Sequence, residues 1–205
     1  MAHRQTKPPY TTADRRYALR LATRGATWWK RWLDVQAPYR WNLRRLRPGF
    51  TLDIGCGIGR NLLHLSGEGV GVDHNPHAIE IARARGLRAF TPEEFDQSPF
   101  NQPARFDSLL LSHVVEHMTE GEAIGLLKTY LHTLKPGGKV ILIAPQELGH
   151  RADPTHVQFM DAAALTRIAR AVDLVPGTAF SFPLPRLFGR LFKYNEFVLV
   201  SEKHQ

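Results

Sequence analysis

The chain has 205 residues, 43% of them hydrophobic, a single cysteine and a net charge of +8. That length suits one α/β domain with a real core, and one thiol excludes an internal disulfide framework. The apolar runs are strand-length and interrupted, which argues against a transmembrane helix, and the first ten residues lack the apolar stretch of a signal peptide, so a reducing, cytoplasmic setting is expected.

The charge is uneven. Residues 1–47 hold 12 Lys/Arg against 2 Asp/Glu, a net +10, while the other 158 residues hold 15 against 17, a net −2. A basic arm suits an anionic partner such as RNA, a phosphorylated substrate or a membrane surface; it also suits a solvated helix face. Residues 1–12, with Lys7-Pro8-Pro9, read as disordered. Residues 13–34 read as a helix, with Leu21, Gly25, Trp28 and Trp32 at helical spacing. This helix is either packing or a lid. Pro38 opens a second short helix to Leu46, and Pro48-Gly49 turns the chain into the first strand. The chain thus divides into a basic helical extension, 1–47, and a body, 48–205.

Phe50, Leu52 and Ile54 supply a buried strand, followed by Gly55-Cys56-Gly57-Ile58-Gly59 and the helix Asn61–Leu65. A turn with so little side chain lets a nucleotide-like ligand lie against bare backbone. Arg60 stands where a dinucleotide fingerprint has its third glycine, which argues against NAD. A second strand, Glu68–Val72, ends in Asp73, eighteen residues after Gly55, where an acid can bond a ribose diol. Pro76 to about Arg85 reads as a helix with Gly86 as its C-cap. Leu87–Phe90 is a third strand, and residues 97–105 form a loop.

Phe106–Leu111 reads as a central strand that delivers Ser112 and His113 to the ligand end of the sheet. If a helical turn begins there, His113, Glu116 and His117 share one face, suited to proton transfer or metal binding, or else to ordering the loop. Residues 120–134 form an amphipathic helix. Lys135-Pro136-Gly137-Gly138 then turns into a fifth strand that runs to Ala144. Glu147–Phe159 has no regular period and is a candidate substrate loop. Asp161 caps a helix from Ala162 to Ala171. Val175–Phe182 and Phe197–Val200 are the final strands, with a basic, apolar insertion, Pro183–Arg190, between them.

Leu-Asp-Ile-Gly-Cys-Gly-Ile-Gly-Arg-Asn at 52–61, Gly-Val-Asp-His at 71–74 and Leu-Lys-Pro-Gly-Gly at 134–138 resemble class I S-adenosylmethionine-dependent methyltransferases. The resemblance covers roughly residues 48–202. It implies a Rossmann-like, seven-stranded, doubly wound α/β sheet with an antiparallel last strand. It also implies S-adenosylmethionine contacts from Asp53, Gly55, Cys56, Gly57, Gly59, Asn61, Asp73, His74, Thr91, Ser112 and His113. His-x-x-Glu-His at 113–117 and Asp-x-Thr-His at 153–156 are similar to the metal set of small-RNA 2′-O-methyltransferases and to a motif of ubiquinone-pathway O-methyltransferases. The chain's compactness and the Asp-x-Thr-His loop are also similar to small actinobacterial sugar O-methyltransferases. These likenesses imply a catalytic or metal set of His113, Glu116, His117 and His156, with Mg²⁺ or Mn²⁺ as the ion. His113 stands where the small-RNA family has a glutamate, which shifts the preference from Mg²⁺ toward Mn²⁺ or Zn²⁺. The implied activity is methylation of a saccharide hydroxyl, with RNA ends or a phenol as the other acceptors and His117 as the first choice of base.

Overall fold

A computed structural model describes residues 36–205; the expected tail 1–12 and helix 13–34 lie outside the described residues. The first described helix, α1 (Ala37–Arg45), is followed by β1 (Thr51–Ile54), α2 (Arg60–His64), β2 (Gly69–Val72), α3 (Pro76–Ala84), β3 (Ala89–Phe90) and α4 (Pro92–Asp96). Then come β4 (Phe106–Ser112), a 3₁₀ turn at Val115–His117, α5 (Glu120–Tyr130), β5 (Leu134–Pro145) and α6 (Glu147–Arg151). The chain ends with α7 (Ala162–Arg170), β6 (Leu174–Pro176), β7 (Phe180–Phe182), a 3₁₀ turn at Arg186–Arg190 and β8 (Glu196–Lys203).

The sheet order is β3-β2-β1-β4-β5-β8-β6, with β7 also on β8. β1 to β5 run parallel, and β8 returns antiparallel between β5 and the edge. This is the doubly wound sheet with an antiparallel last strand that the sequence predicts. Parallel central strands are covered on both faces, so they read as unbroken apolar runs. Leu109, Leu110 and Leu111 of β4 and Val140, Ile141 and Leu142 of β5 are all fully buried. Because Cβ atoms alternate along a strand, Leu109 and Leu111 join the larger core with α5 and α7. Leu110 joins Ile141, Val198 and Leu43 of α1 on the other face. Helix α1, read from sequence as part of the extension, therefore shares the core of the body.

Local signals fix the helix starts. Asn75 accepts from the His77 and Ala78 amides with Pro76 behind it, Thr119 and Glu122 form a capping box, and Asp161 accepts from the Ala164 amide. In α7 the spacing of Ala164, Leu165, Ile168 and Ala169 turns one face into the core. Burying Leu165 and Ile168 is worth about 2 kcal/mol each.

Four boundaries differ from the sequence reading. Val175–Phe182 is not one strand but two, β6 and β7, which pair with successive stretches of β8, so the described residues form an eight-stranded sheet rather than one of seven. Between them the Gly177 amide donates to the Val200 carbonyl, where a Cβ would lie 2.8 Å from that oxygen. The helix expected over 120–134 stops at Tyr130 and tightens into a 3₁₀ turn, Leu131–Thr133. Glu147–Arg151, expected to be irregular, is helical as α6. β5 begins before the Pro-Gly-Gly turn, and a bulge between Leu134 and Lys139 absorbs it. No helix among the described residues is long and apolar enough to cross a membrane.

Candidate active site

The carboxyl ends of β1, β2, β4 and β5 open onto a cavity of about 530 Å³. Its floor is the glycine turn after β1. Gly55, Gly57 and Gly59 all have positive φ, at 75°, 52° and 78°. At Gly55 the need is double, because a Cβ would also sit 2.4 Å from Val114 Cγ2. Gly59 turns the chain into α2 with its own Cβ position blocked by Leu87, and it does not line the cavity.

Asp73, at the end of β2, accepts from the Gly57 amide at 2.7 Å and from the Asn75 amide at 2.8 Å. It thus clamps the turn. Each carboxylate oxygen keeps a second lone pair for a ribose hydroxyl. Gly55, Cys56, Gly57, Asn61, His74 and Ser112 line the same cavity. Asp53 lies beneath it, fully buried. Asn61 Nδ2 donates to its Oδ1 at 3.4 Å, and its Oδ2 has no partner. Burial outweighs that bond and, with Asp73 nearby, lifts its pKa to about 7. Burial also pushes the Cys56 thiol up, so it is a packed apolar group here. Thr91 is committed elsewhere: its hydroxyl caps α4 by accepting from the Glu94 amide, and Pro92 lines the cavity instead.

The cavity fits the cofactor that the sequence motifs imply. Bare turn backbone and the Asp73 carboxylate would hold its adenosyl portion, with Asp53 supporting the turn from beneath, and the volume lies in the usual range for such ligands.

The histidine set stands opposite. The expected helical face at 113–117 does not form. His113 takes a left-handed conformation, φ 59°, and only Val115–His117 make a 3₁₀ turn. His113 Nδ1 lies 3.2 Å from Glu116 Oε1, and its Nε2 lies 2.8 Å from Glu196 Oε1. Desolvation lowers the His113 pKa, but the two carboxylates outweigh it and raise it to about 10. It is therefore an imidazolium with no lone pair to give a metal, although the motif places it in the ligand set.

Glu116 is fully buried; its Oε1 is ion-paired with His113 Nδ1 at 3.2 Å, off the line of a good hydrogen bond, and its Oε2 has no partner. Burial pushes its pKa up, but His113 and His117 pull it down further, so it is a carboxylate. His117 Nδ1 lies 3.2 Å from both the carbonyl and the hydroxyl of Thr155. His156 Nδ1 lies 2.7 Å from the His150 carbonyl. A carbonyl only accepts, so the proton of His156 sits on Nδ1 and Nε2 is bare. The Thr155 carbonyl favours the same tautomer in His117. Burial holds His156 below the ordinary histidine pKa, so it is neutral. Asp153 shapes this loop by accepting from the amide and hydroxyl of Thr155, and the Val157 amide donates to the Glu116 carbonyl at 2.8 Å.

Glu116, His117 and His156 each offer one ligand atom, all within 4.8 Å of one another. Anchored Nδ1, bare Nε2 and a buried carboxylate form the donor set of a first-row divalent ion. Two nearby residues were missed from sequence. Glu196 follows the basic insertion, 83 residues after His113, and no motif marks it. His150 stacks on His156 with ring centroids 5.1 Å apart, and burial lowers its pKa. Its place beside the Asp-x-Thr-His segment was the available signal.

Residues 29–176 match the family described as a methyltransferase domain. A ubiquinone biosynthesis O-methyltransferase of Xylella fastidiosa is 30% identical over 100 residues, which cover 45% of this chain and 40% of that protein. The match thus spans less than half the length of this curated relative. An uncharacterized methyltransferase of Bacillus cytotoxicus is 29% identical over 96 residues, 45% of each chain. Among solved structures, a SAM-dependent methyltransferase from Archaeoglobus fulgidus superposes with a TM-score of 0.66 at 20% identity, covering 93% of this chain and 100% of the other. Magnesium protoporphyrin IX methyltransferase from Synechocystis, with SAH bound, gives 0.64 at 14% identity, covering 94% and 96%. These structural likenesses establish the fold. The family match extends over most of the body and takes in the glycine turn, Asp73 and the histidine turn, and on that basis the chain belongs to the methyltransferase domain family as a class I S-adenosylmethionine-dependent enzyme.

Proposed function

We propose that the protein methylates a hydroxyl group, and that Glu116, His117 and His156 activate the acceptor. One observation carries this reading: a fully buried carboxylate, held on one side by His113 and with an unpartnered Oε2, stands beside His156 with its bare Nε2 and His117 in the same anchored pose. An amine acceptor has its own lone pair and needs no such set. A hydroxyl must lose its proton as it reacts.

Bound S-adenosylmethionine supplies a methyl group on a sulfonium, electrophilic without further activation. The protein's work is alignment and proton removal. His117 Nε2 takes the acceptor proton while Thr155 fixes the ring. Glu116 stabilises the imidazolium that forms, and His113, protonated between Glu116 and Glu196, keeps Glu116 ionised and oriented. The same three donors fit a divalent ion, which would supply Lewis acidity at the acceptor oxygen. Two imidazoles in the set favour Mn²⁺ or Zn²⁺ over Mg²⁺.

A saccharide hydroxyl is the acceptor we put first, on the compact Asp-x-Thr-His loop, whose Asp153 and His156 line the cavity. The match to a ubiquinone biosynthesis O-methyltransferase favours a phenol as the second reading. RNA ends rank third, on the +10 charge of residues 1–47. The deciding experiment is a methyl-transfer screen of mannosides and other saccharides, phenols and RNA ends, with and without EDTA. Turnover on amines alone would overturn the hydroxyl reading.

A further inference from the structure

The segment Pro183–Asn195 carries Arg186, Arg190 and Lys193 and no carboxylate. It projects beside the cavity, and Lys193 and Tyr194 line the mouth. Its backbone is held firmly, and polar contacts do the holding. Arg186 pairs through both terminal nitrogens with Glu147 on α6. Gly189 is buried so closely against α6 that a Cβ would fall 2.0 Å from Gln146 Oε1. The fully buried Asn195 side chain donates to Gln146 Oε1 at 2.9 Å and to the Pro185 carbonyl, and it accepts from the Leu184 amide at 2.9 Å.

Leu184 and Phe192 are partly buried, but other large apolar side chains of this segment stand in solvent. Leu187 is 85% exposed, Leu191 is 76% exposed and Tyr194 is 57% exposed. Leu187 and Leu191 are four residues apart across a tight turn, with the exposed cations Arg190 and Lys193 beside them. A fold that fixes a backbone rigidly and then leaves two leucines in water is presenting them to something. The leucines protrude rather than line a groove, so a flat, soft partner suits them better than a folded protein's ridge. The cations without a carboxylate set the sign of that partner.

We infer that Pro183–Asn195 is a docking surface for an anionic lipid bilayer. Leu187, Leu191 and Tyr194 enter the boundary between headgroups and acyl chains, and Arg190 and Lys193 lie among the headgroup phosphates. The cavity mouth then faces the membrane surface. This inference stands apart from the choice of acceptor, since a soluble acceptor is compatible with a docked enzyme.

The test is co-flotation of the full chain with vesicles of phosphatidylcholine alone and of phosphatidylcholine mixed with phosphatidylglycerol, at low and high salt. Wild type binds the anionic vesicles at least about tenfold better than the neutral ones, and salt weakens the binding. The pair Leu187→Glu and Leu191→Glu lowers binding about tenfold or more, and so does Arg190→Glu with Lys193→Glu. Unchanged melting of these exposed variants shows that they fold; Leu187→Ser with Leu191→Ser serves as a second, charge-neutral pair. Undiminished vesicle binding by both leucine variants would locate lipid affinity elsewhere in the chain and overturn the inference. Self-association that is lost in the leucine variants, without vesicle binding by wild type, would overturn it in favour of an interface between two copies.

Discussion

His156 Nε2 and Glu116 Oε1 stand 3.9 Å apart in the interior of the site. That gap is too long for a hydrogen bond, and it suits two donors to one shared atom: ligands about 2.1 Å from one ion lie at most about 4.2 Å apart. The spread of the whole trio, 4.8 Å, closes to that limit with a shift of about half an ångström. His156→Ala and Glu116→Gln are therefore expected to abolish saturable Mn²⁺ binding in a calorimetric titration. Each should lower turnover by about 10²–10⁴-fold, as should His117→Ala. Affinity for S-adenosylmethionine should hardly change, because none of the three belongs to the glycine turn. Full activity of wild type in EDTA would remove the ion and leave the base. Full activity of both histidine variants would remove the site.

Glu196 reaches the site only through His113. Its Oε1 lies 2.8 Å from Nε2, while the other ring nitrogen faces Glu116. Removing that carboxylate lets the ring turn and lose its grip on Glu116. Glu196→Gln should cost about 10–100-fold in turnover, the usual effect of a group that orients a ligand rather than touching substrate. Cofactor affinity should stay within about twofold, because the Glu196 carboxylate engages His113 and neither the glycine turn nor Asp73. Steady-state kinetics with a separate binding titration measures both. A loss confined to cofactor binding would contradict the positioning role.

Much of this arrangement was legible because its causes are local. Gly55, Gly57 and Gly59 announce a turn, Asp73 follows at a fixed spacing, and Asn75, Asp161 and the Leu109–Leu111 run each signal their own element. The misreadings have non-local causes. His113 contacts Glu116, and Glu116 lies with His117 and His156, but a left-handed His113 breaks the helical face that the spacing suggested. Glu196 meets His113 only because β8 returns antiparallel beside β5, a pairing that no short-range pattern encodes. Thr91 looked like a cofactor contact by position, yet Glu94 three residues on makes it half of a capping box. The split of β6 from β7 follows from a close approach of Gly177 to Val200, visible only once the sheet is assembled.

Asp73 has two backbone amides and a ribose to serve. Asp73→Asn keeps one acceptor oxygen and loses the charge, so either the Gly57 amide or the ligand is underserved. Affinity for S-adenosylmethionine should fall roughly tenfold to a hundredfold, equivalent to about 1.5–3 kcal/mol. Asp73→Ala should do at least as much and also lower the melting temperature, since the turn loses its clamp. Calorimetric titration of the two folded variants separates the effects. Unchanged affinity in Asp73→Asn would end the assignment of this acid to the ribose.

Asp53 makes stability depend on pH in a direction opposite to that of an ordinary paired carboxylate. Its pKa is raised from 3.8 to about 7, with burial as the largest cause, so the folded state holds the proton more tightly than the unfolded state. Below the unfolded value both states are protonated, and the group adds no penalty. Between the two values the unfolded chain releases the proton and the folded chain does not, so stability falls as pH rises. Above about pH 7 both are ionised, and the folded state carries the full cost of a buried charge, up to about 4 kcal/mol for a shift of about three units. Asp53→Asn keeps an oxygen for Asn61 and cannot ionise. The melting curve of the cofactor-free variant, followed by circular dichroism from about pH 4 to about pH 8.5, should lack the decline expected of wild type. The difference between the two should grow across that window and level off above it. Parallel curves would mean that Asp53 is already ionised well below pH 7 and that the orphaned Oδ2 is satisfied by water.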